Sequence, residues 1–114
     1  MLTIEKLKSF GANTEEGLQR CLNNEAFYLK LVNRFLEDGS FNLLKEAIEN
    51  NNLEEAFKHS HALKGVLGNL SLTPLYDVIF EMTELLRKQT KYDYTDYIKK
   101  YEVLLENLIS LSQN

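Results

Sequence analysis

The sequence predicts an all-α fold, an antiparallel up-down four-helix bundle with two short helices ahead of it. Three observations carry that reading. Apolar residues recur every three to four positions through the segments 24–51, 53–71, 74–90 and 93–112, as one face of an α-helix requires. No stretch alternates at period two, so no strand is expected. The turns between segments are short, which makes consecutive helices antiparallel neighbours. With 114 residues, a single proline and no Gly- or Ser-rich linker, the chain reads as one domain over 1–114. The short helices lie within 1–23 and the bundle within 24–113.

In order along the chain, Thr3 is placed to cap a short helix that reaches Phe10, with Gly11 as its terminator. Thr14 precedes Glu15 and Glu16 and caps a second, to about Leu22. Asn24 caps a longer helix whose apolar residues are Phe27, Leu31, Val32 and Phe35. Gly39-Ser40 interrupts it, and Ser40 caps a continuation through Phe41, Leu44, Ala47 and Ile48, so a break or kink is expected there. Asn50-Asn51-Asn52 is a turn. A helix then runs from Leu53 to about Leu70, and Thr73-Pro74 supplies a cap and a first-turn proline for the next. Asp93 opens the last helix, which carries Tyr94, Tyr97, Ile98, Tyr101, Leu104, Leu105 and Leu108 on one side. Its tyrosines read as core and boundary packing.

Composition narrows the function classes. An apolar content of 44% and a charged content of 26% are ordinary for a globular protein. A net charge of −4 argues against a general nucleic-acid binder, which needs a basic face. No apolar run approaches the roughly 18 residues of a membrane span, and the N-terminus has no signal-peptide core. Cys21, the one cysteine, cannot form an internal disulfide and fits a cytoplasmic location. The chain is expected to be a free-standing monomer.

The informative stretch is His59 to Asn69, HSHALKGVLGN. It places two glycines, each costing roughly 0.5–1 kcal/mol against alanine in a helix interior, beside the only two histidines. At 100° per residue, Leu53, Ala56, Ser60, Leu63, Leu67 and Leu70 form the core stripe. Glu54, Lys58, His61, Gly65, Gly68 and Asn69 fall on the opposite, solvent side. Gly65 and Gly68 are the i+4 and i+7 neighbours of His61, so the ground on its C-terminal side is bare backbone. Lys64, at i+3, brings a cation beside the ring. His59 lies on the flank nearer the core, with Leu63 at i+4, and has no such clearing.

That arrangement suits phosphoryl transfer. Imidazole is a good nucleophile near neutral pH. In-line transfer needs open access to a ring nitrogen, and a cation stabilises the charge on the equatorial oxygens. Reactivity is expected to come from access and positioning. By itself the wheel leaves the commoner alternative open, a plain surface histidine with glycines that serve close packing.

The string His61-x-Leu63-Lys64-Gly65, followed by Leu70, resembles the signature of histidine-containing phosphotransfer (HPt) domains. Gly17-Leu18-Gln19-Arg20 and Asn24 to Leu29 are similar to the N-terminal part of bacterial members, and Asn69 to Tyr76 to the start of the helix after the histidine helix. The likeness covers most of the chain. It implies a four-helix bundle that relays phosphoryl groups between receiver domains in two-component signalling. It also implies that His61 is the phosphorylated residue, Lys64 the cation near the phosphoryl group and Gly65 the residue that leaves room. Response-regulator receiver domains and a hybrid sensor kinase are the implied partners. No cofactor of its own is implied, the Mg²⁺ and acidic pocket belonging to the receiver. Two departures stand out. Members commonly have glycine where Ser71 stands, and Thr83 occupies the place of a glutamine that in some members contacts the histidine.

No glycine-rich nucleotide loop and no Mg²⁺-holding acidic cluster accompany the motif, so self-phosphorylation from ATP is not expected. A metal- or haem-binding bundle is a poor alternative, because histidines at i,i+2 diverge on a helix and no Glu-x-x-His pair is present. A helical adaptor that binds a receiver without exchanging phosphate is the other. The docking face should surround His61, with Lys58, Val66, Gly68 and Asn69 as candidates.

Overall fold

Four of the helix starts in this chain are set by short polar side chains that close free backbone N–H groups. The computed structural model describes residues 1–114 as seven α-helices and no strand: α1 Ile4–Phe10, α2 Thr14–Arg20, α3 Glu25–Glu37, α4 Ser40–Glu49, α5 Leu53–Asn69, α6 Thr73–Arg87 and α7 Thr95–Gln113. Thr3 Oγ1 accepts from the Lys6 N–H, Asn24 Oδ1 from Phe27 and Asn52 Oδ1 from Glu55. α1 ends on Gly11, whose φ of 109° is the left-handed conformation glycine adopts without strain.

Several boundaries differ from expectation by a residue or two. α2 is capped by Asn13, not Thr14, whose side chain is buried at the first helical position. Ser40 is likewise inside its helix: Asp38 Oδ1 accepts from both the Ser40 N–H and the Ser40 hydroxyl, at 2.9 and 2.6 Å. α6 begins at Thr73 with no side-chain cap and Pro74 in its first turn. α7 begins at Thr95, two residues after Asp93, which accepts the Thr95 N–H.

α3 and α4 together make the first long member of the bundle, divided where the chain becomes extended at Asp38. α5 lies between α4 and α6, α7 packs on α6, and α1 closes against α7. One cluster of 24 buried apolar residues runs from Leu2 to Leu108. In α3 the buried stripe is Tyr28, Val32 and Phe35, and Leu31 is half-buried. Phe27, expected in the core, is 48% exposed because it sits one residue, about 100°, out of phase with that stripe. On α5, Ala56, Ser60, Leu63 and Leu67 face the core as the wheel requires.

The end of α5 is tied to α3 and to the start of α2. The buried Tyr28 hydroxyl donates to the Leu70 carbonyl at 2.7 Å, and the Asn13 N–H to the Ser71 carbonyl at 2.9 Å. Ser71 has φ 54°, so the left-handed turn usually given to glycine is kept with a serine in place. No helix is long and apolar enough to cross a membrane.

Candidate functional site

The core stripe of α5 turns His61 outward, where it is exposed in mid-helix. Its C-terminal side is open: beyond the backbone of its own helix and its chain neighbours, a Cβ added at Gly65 would meet nothing within 4 Å. Its N-terminal side is walled. The Phe57 ring, one turn earlier, stacks on the imidazole with centroids 5.6 Å apart and planes at 27°. The Arg87 guanidinium, from the end of α6, lies 5.1 Å from the centre of the same Phe57 ring.

Lys58 and Lys64 lie three residues either side of His61 on α5, Arg87 lies over the Phe57 ring, and their partners separate the three. Lys58 pairs with Glu55 at 3.4 Å, and Arg87 with Glu84 at 3.8 Å. Lys64 makes no ion pair; its ammonium rests over the Phe80 ring, 5.5 Å from the centroid, and Phe80 in turn stacks on Tyr76. Lys64 is therefore the cation free to meet an incoming anion.

The other expected residues are placed as follows. Gly68 does not belong to the clearing. A Cβ there would stand 3.3 Å from Cε1 of Tyr76, so its missing side chain admits the α6 ring and serves helix packing. Val66 is 41% exposed and Phe80 42%, giving the face apolar surface on both helices. Asn69 is exposed but engaged, accepting from Arg20 of α2 at 3.3 Å. His59 is partly covered, with Nε2 3.7 Å from a Glu55 carboxylate oxygen. Thr83 is fully buried and donates to the Ile79 carbonyl at 2.7 Å, so it does not reach the histidine. Phe57, Phe80 and Arg87 were not among the expected residues. Phe57 had a signal, its i−4 spacing from His61.

His61 lines none of the five surface depressions on other parts of the bundle. No group of three or more His, Cys, Asp or Glu side chains is arranged to hold a metal ion. The site is thus an exposed imidazole on a helix face, with a lysine three residues on that makes no ion pair.

A family model for the Hpt domain matches residues 30–113, which span His61 and most of α3 through α7. The chain belongs to the Hpt domain family. Hpt domains carry out histidine phosphotransfer in two-component systems; they are phosphocarriers without kinase activity and work with receiver domains and kinases. No curated protein and no solved structure gives a significant match to the chain. In this Hpt domain α1, α2 and the first turn of α3 lie outside the matched stretch.

Proposed function

We propose that His61 accepts a phosphoryl group from the aspartyl phosphate of one receiver domain and passes it to the aspartate of another. A ring nitrogen of the neutral imidazole attacks phosphorus, the new N–P bond forms as the P–O bond to the aspartate breaks, and the carboxylate leaves with the electron pair. The imidazole then loses its other N–H proton to solvent or the partner. Transfer to the second receiver reverses these steps. Lys64 leaves Phe80 to hold the equatorial oxygens, and the receiver supplies Mg²⁺. The first donor is the receiver of a hybrid sensor kinase, and the protein acts as a cytoplasmic monomer. The face around Lys58, Val66 and Asn69 docks the receiver.

The observation that carries the reading is the open space at Gly65 beside an exposed His61. Incubation with a phosphorylated receiver should give acid-labile, base-stable label that is lost in His61→Gln and kept in His59→Gln. Gly65→Leu should fold and fail to accept label, because it fills the approach path. Label that persists in His61→Gln and disappears in His59→Gln would overturn the assignment. Tight receiver binding with no label in the wild type would leave the adaptor as the function.

A further inference from the structure

We propose that Phe57 is a positioning residue for the transfer reaction: its ring fixes the plane of the His61 imidazole and leaves the Gly65 side as the way in. The inference rests on the reading of His61 as the acceptor.

Helical side chains lean toward the N-terminus, over the turn before their own Cα. The His61 ring therefore lies back over the turn that Phe57 occupies, and the near-parallel 5.6 Å stack follows from that lean. An exposed imidazole without such a neighbour changes rotamer on the picosecond-to-nanosecond scale. In-line attack needs the ring nitrogen, phosphorus and the leaving oxygen aligned, so an imidazole already held in one plane meets the receiver with that alignment partly made. An aliphatic side chain at position 57 would offer contact area but no plane. Phe57 itself is half-buried, and Arg87 over its ring, with Glu84 3.8 Å from the Arg87 Nε, links its orientation to α6. Wall and clearing then lie on opposite sides of one imidazole, Phe57 at i−4 and Gly65 at i+4.

The test compares the wild type, Phe57→Leu and Phe57→Tyr, with His61→Gln as control. Three quantities are read for each: thermal unfolding, the NMR shifts of the His61 ring protons, and the rate of transfer from a phosphorylated receiver across receiver concentrations. Phe57→Leu should stay folded, lose the upfield ring-current shift at His61, and transfer about tenfold more slowly at saturating receiver, with the half-saturating concentration unchanged. Phe57→Tyr restores the plane and should restore both shift and rate. A Phe57→Leu protein that transfers at the wild-type rate overturns the proposal, and so does a Phe57→Tyr protein as slow as Phe57→Leu. A change confined to the half-saturating concentration also overturns it, since Phe57 would then be a docking contact. Wild-type protein that takes no label, or His61→Gln that does, instead overturns the reading of His61.

Discussion

The Lys64 ammonium rests on the Phe80 ring of the neighbouring helix, 5.5 Å from its centre, and on no carboxylate. A cation over an exposed aromatic ring is held by about 0.5–1 kcal/mol, whereas hydrogen bonds to a charged group contribute about 1.5–3 kcal/mol. On the proposed reading, a phosphoryl group on His61 would outcompete Phe80 for this lysine.

Lys64→Ala should accordingly slow receiver-dependent transfer by about tenfold or more. Phe80→Leu removes only the resting contact and should leave the saturating rate near that of the wild type. Single-turnover transfer measured for both variants checks the pair. Equal rates for Lys64→Ala and the wild type would make the lysine plain surface.

Ser71→Gly should stabilise the fold. Serine at φ 54° carries a left-handed penalty of roughly 1–2 kcal/mol, and glycine gives back about 0.5–1 kcal/mol through the entropy of the unfolded chain. The hydroxyl contact that is lost, 3.4 Å to Glu16, is weak. A net gain of about 0.5–1 kcal/mol is expected in urea denaturation, with transfer unaffected.

Gly17→Ala should destabilise by about 2–3 kcal/mol despite the better helix propensity of alanine. The added methyl would stand 2.5 Å from both Cζ and the hydroxyl of the buried Tyr28. Tyr28→Phe removes the clashing oxygen, so the double variant should cost less than the sum of the singles. A denaturation cycle over the four proteins measures that coupling.

Stability should fall at alkaline pH. Burial, with the nearby Cys21 charge second, pushes the Tyr28 phenol up to about 12 from an ordinary 10.0. Between those values the unfolded chain has released its proton while the folded chain still holds it. The contribution is therefore complete below 10.0 and declines as pH rises toward about 12. Tyr101 shifts in the same direction by burial, and its buried hydroxyl has no partner. Tyr101→Phe should make the alkaline decline shallower and, near neutral pH, stabilise by up to about 1 kcal/mol, the Phe41 stack at 4.2 Å being kept. Denaturant midpoints across the alkaline range test both.

Which way the side chains of a single helix face was legible from spacing alone. His61, Lys64 and Gly65 lie on α5, and its core stripe of Ala56, Ser60, Leu63 and Leu67 fixed which way each would face. Features made between helices were not. The occupant opposite Gly68 is Tyr76, and Phe80 and Arg87 reach the site from α6; all three depend on the register of α6 against α5, which no single-helix period contains. The caps went wrong locally for a different reason. Asn13 and Thr14 are both competent to cap, and the backbone conformation, with Asn13 outside the helix and Thr14 inside, decides between them. Phe27 and Tyr28 posed the same choice one residue apart, and the buried hydroxyl bond to Leu70 goes with Tyr28.

That bond has a consequence for what can be moved as a piece. The stretch shared with the family begins at residue 30, inside α3 and two residues past Tyr28. A graft of the shared stretch into another protein would carry the imidazole, the lysine and the clearing, yet leave the Leu70 carbonyl unclosed beneath them. Kinship in sequence and mechanical self-sufficiency end at different residues. The portable unit of this Hpt domain starts upstream of the stretch that the family model matches, where Gly17 makes room for Tyr28.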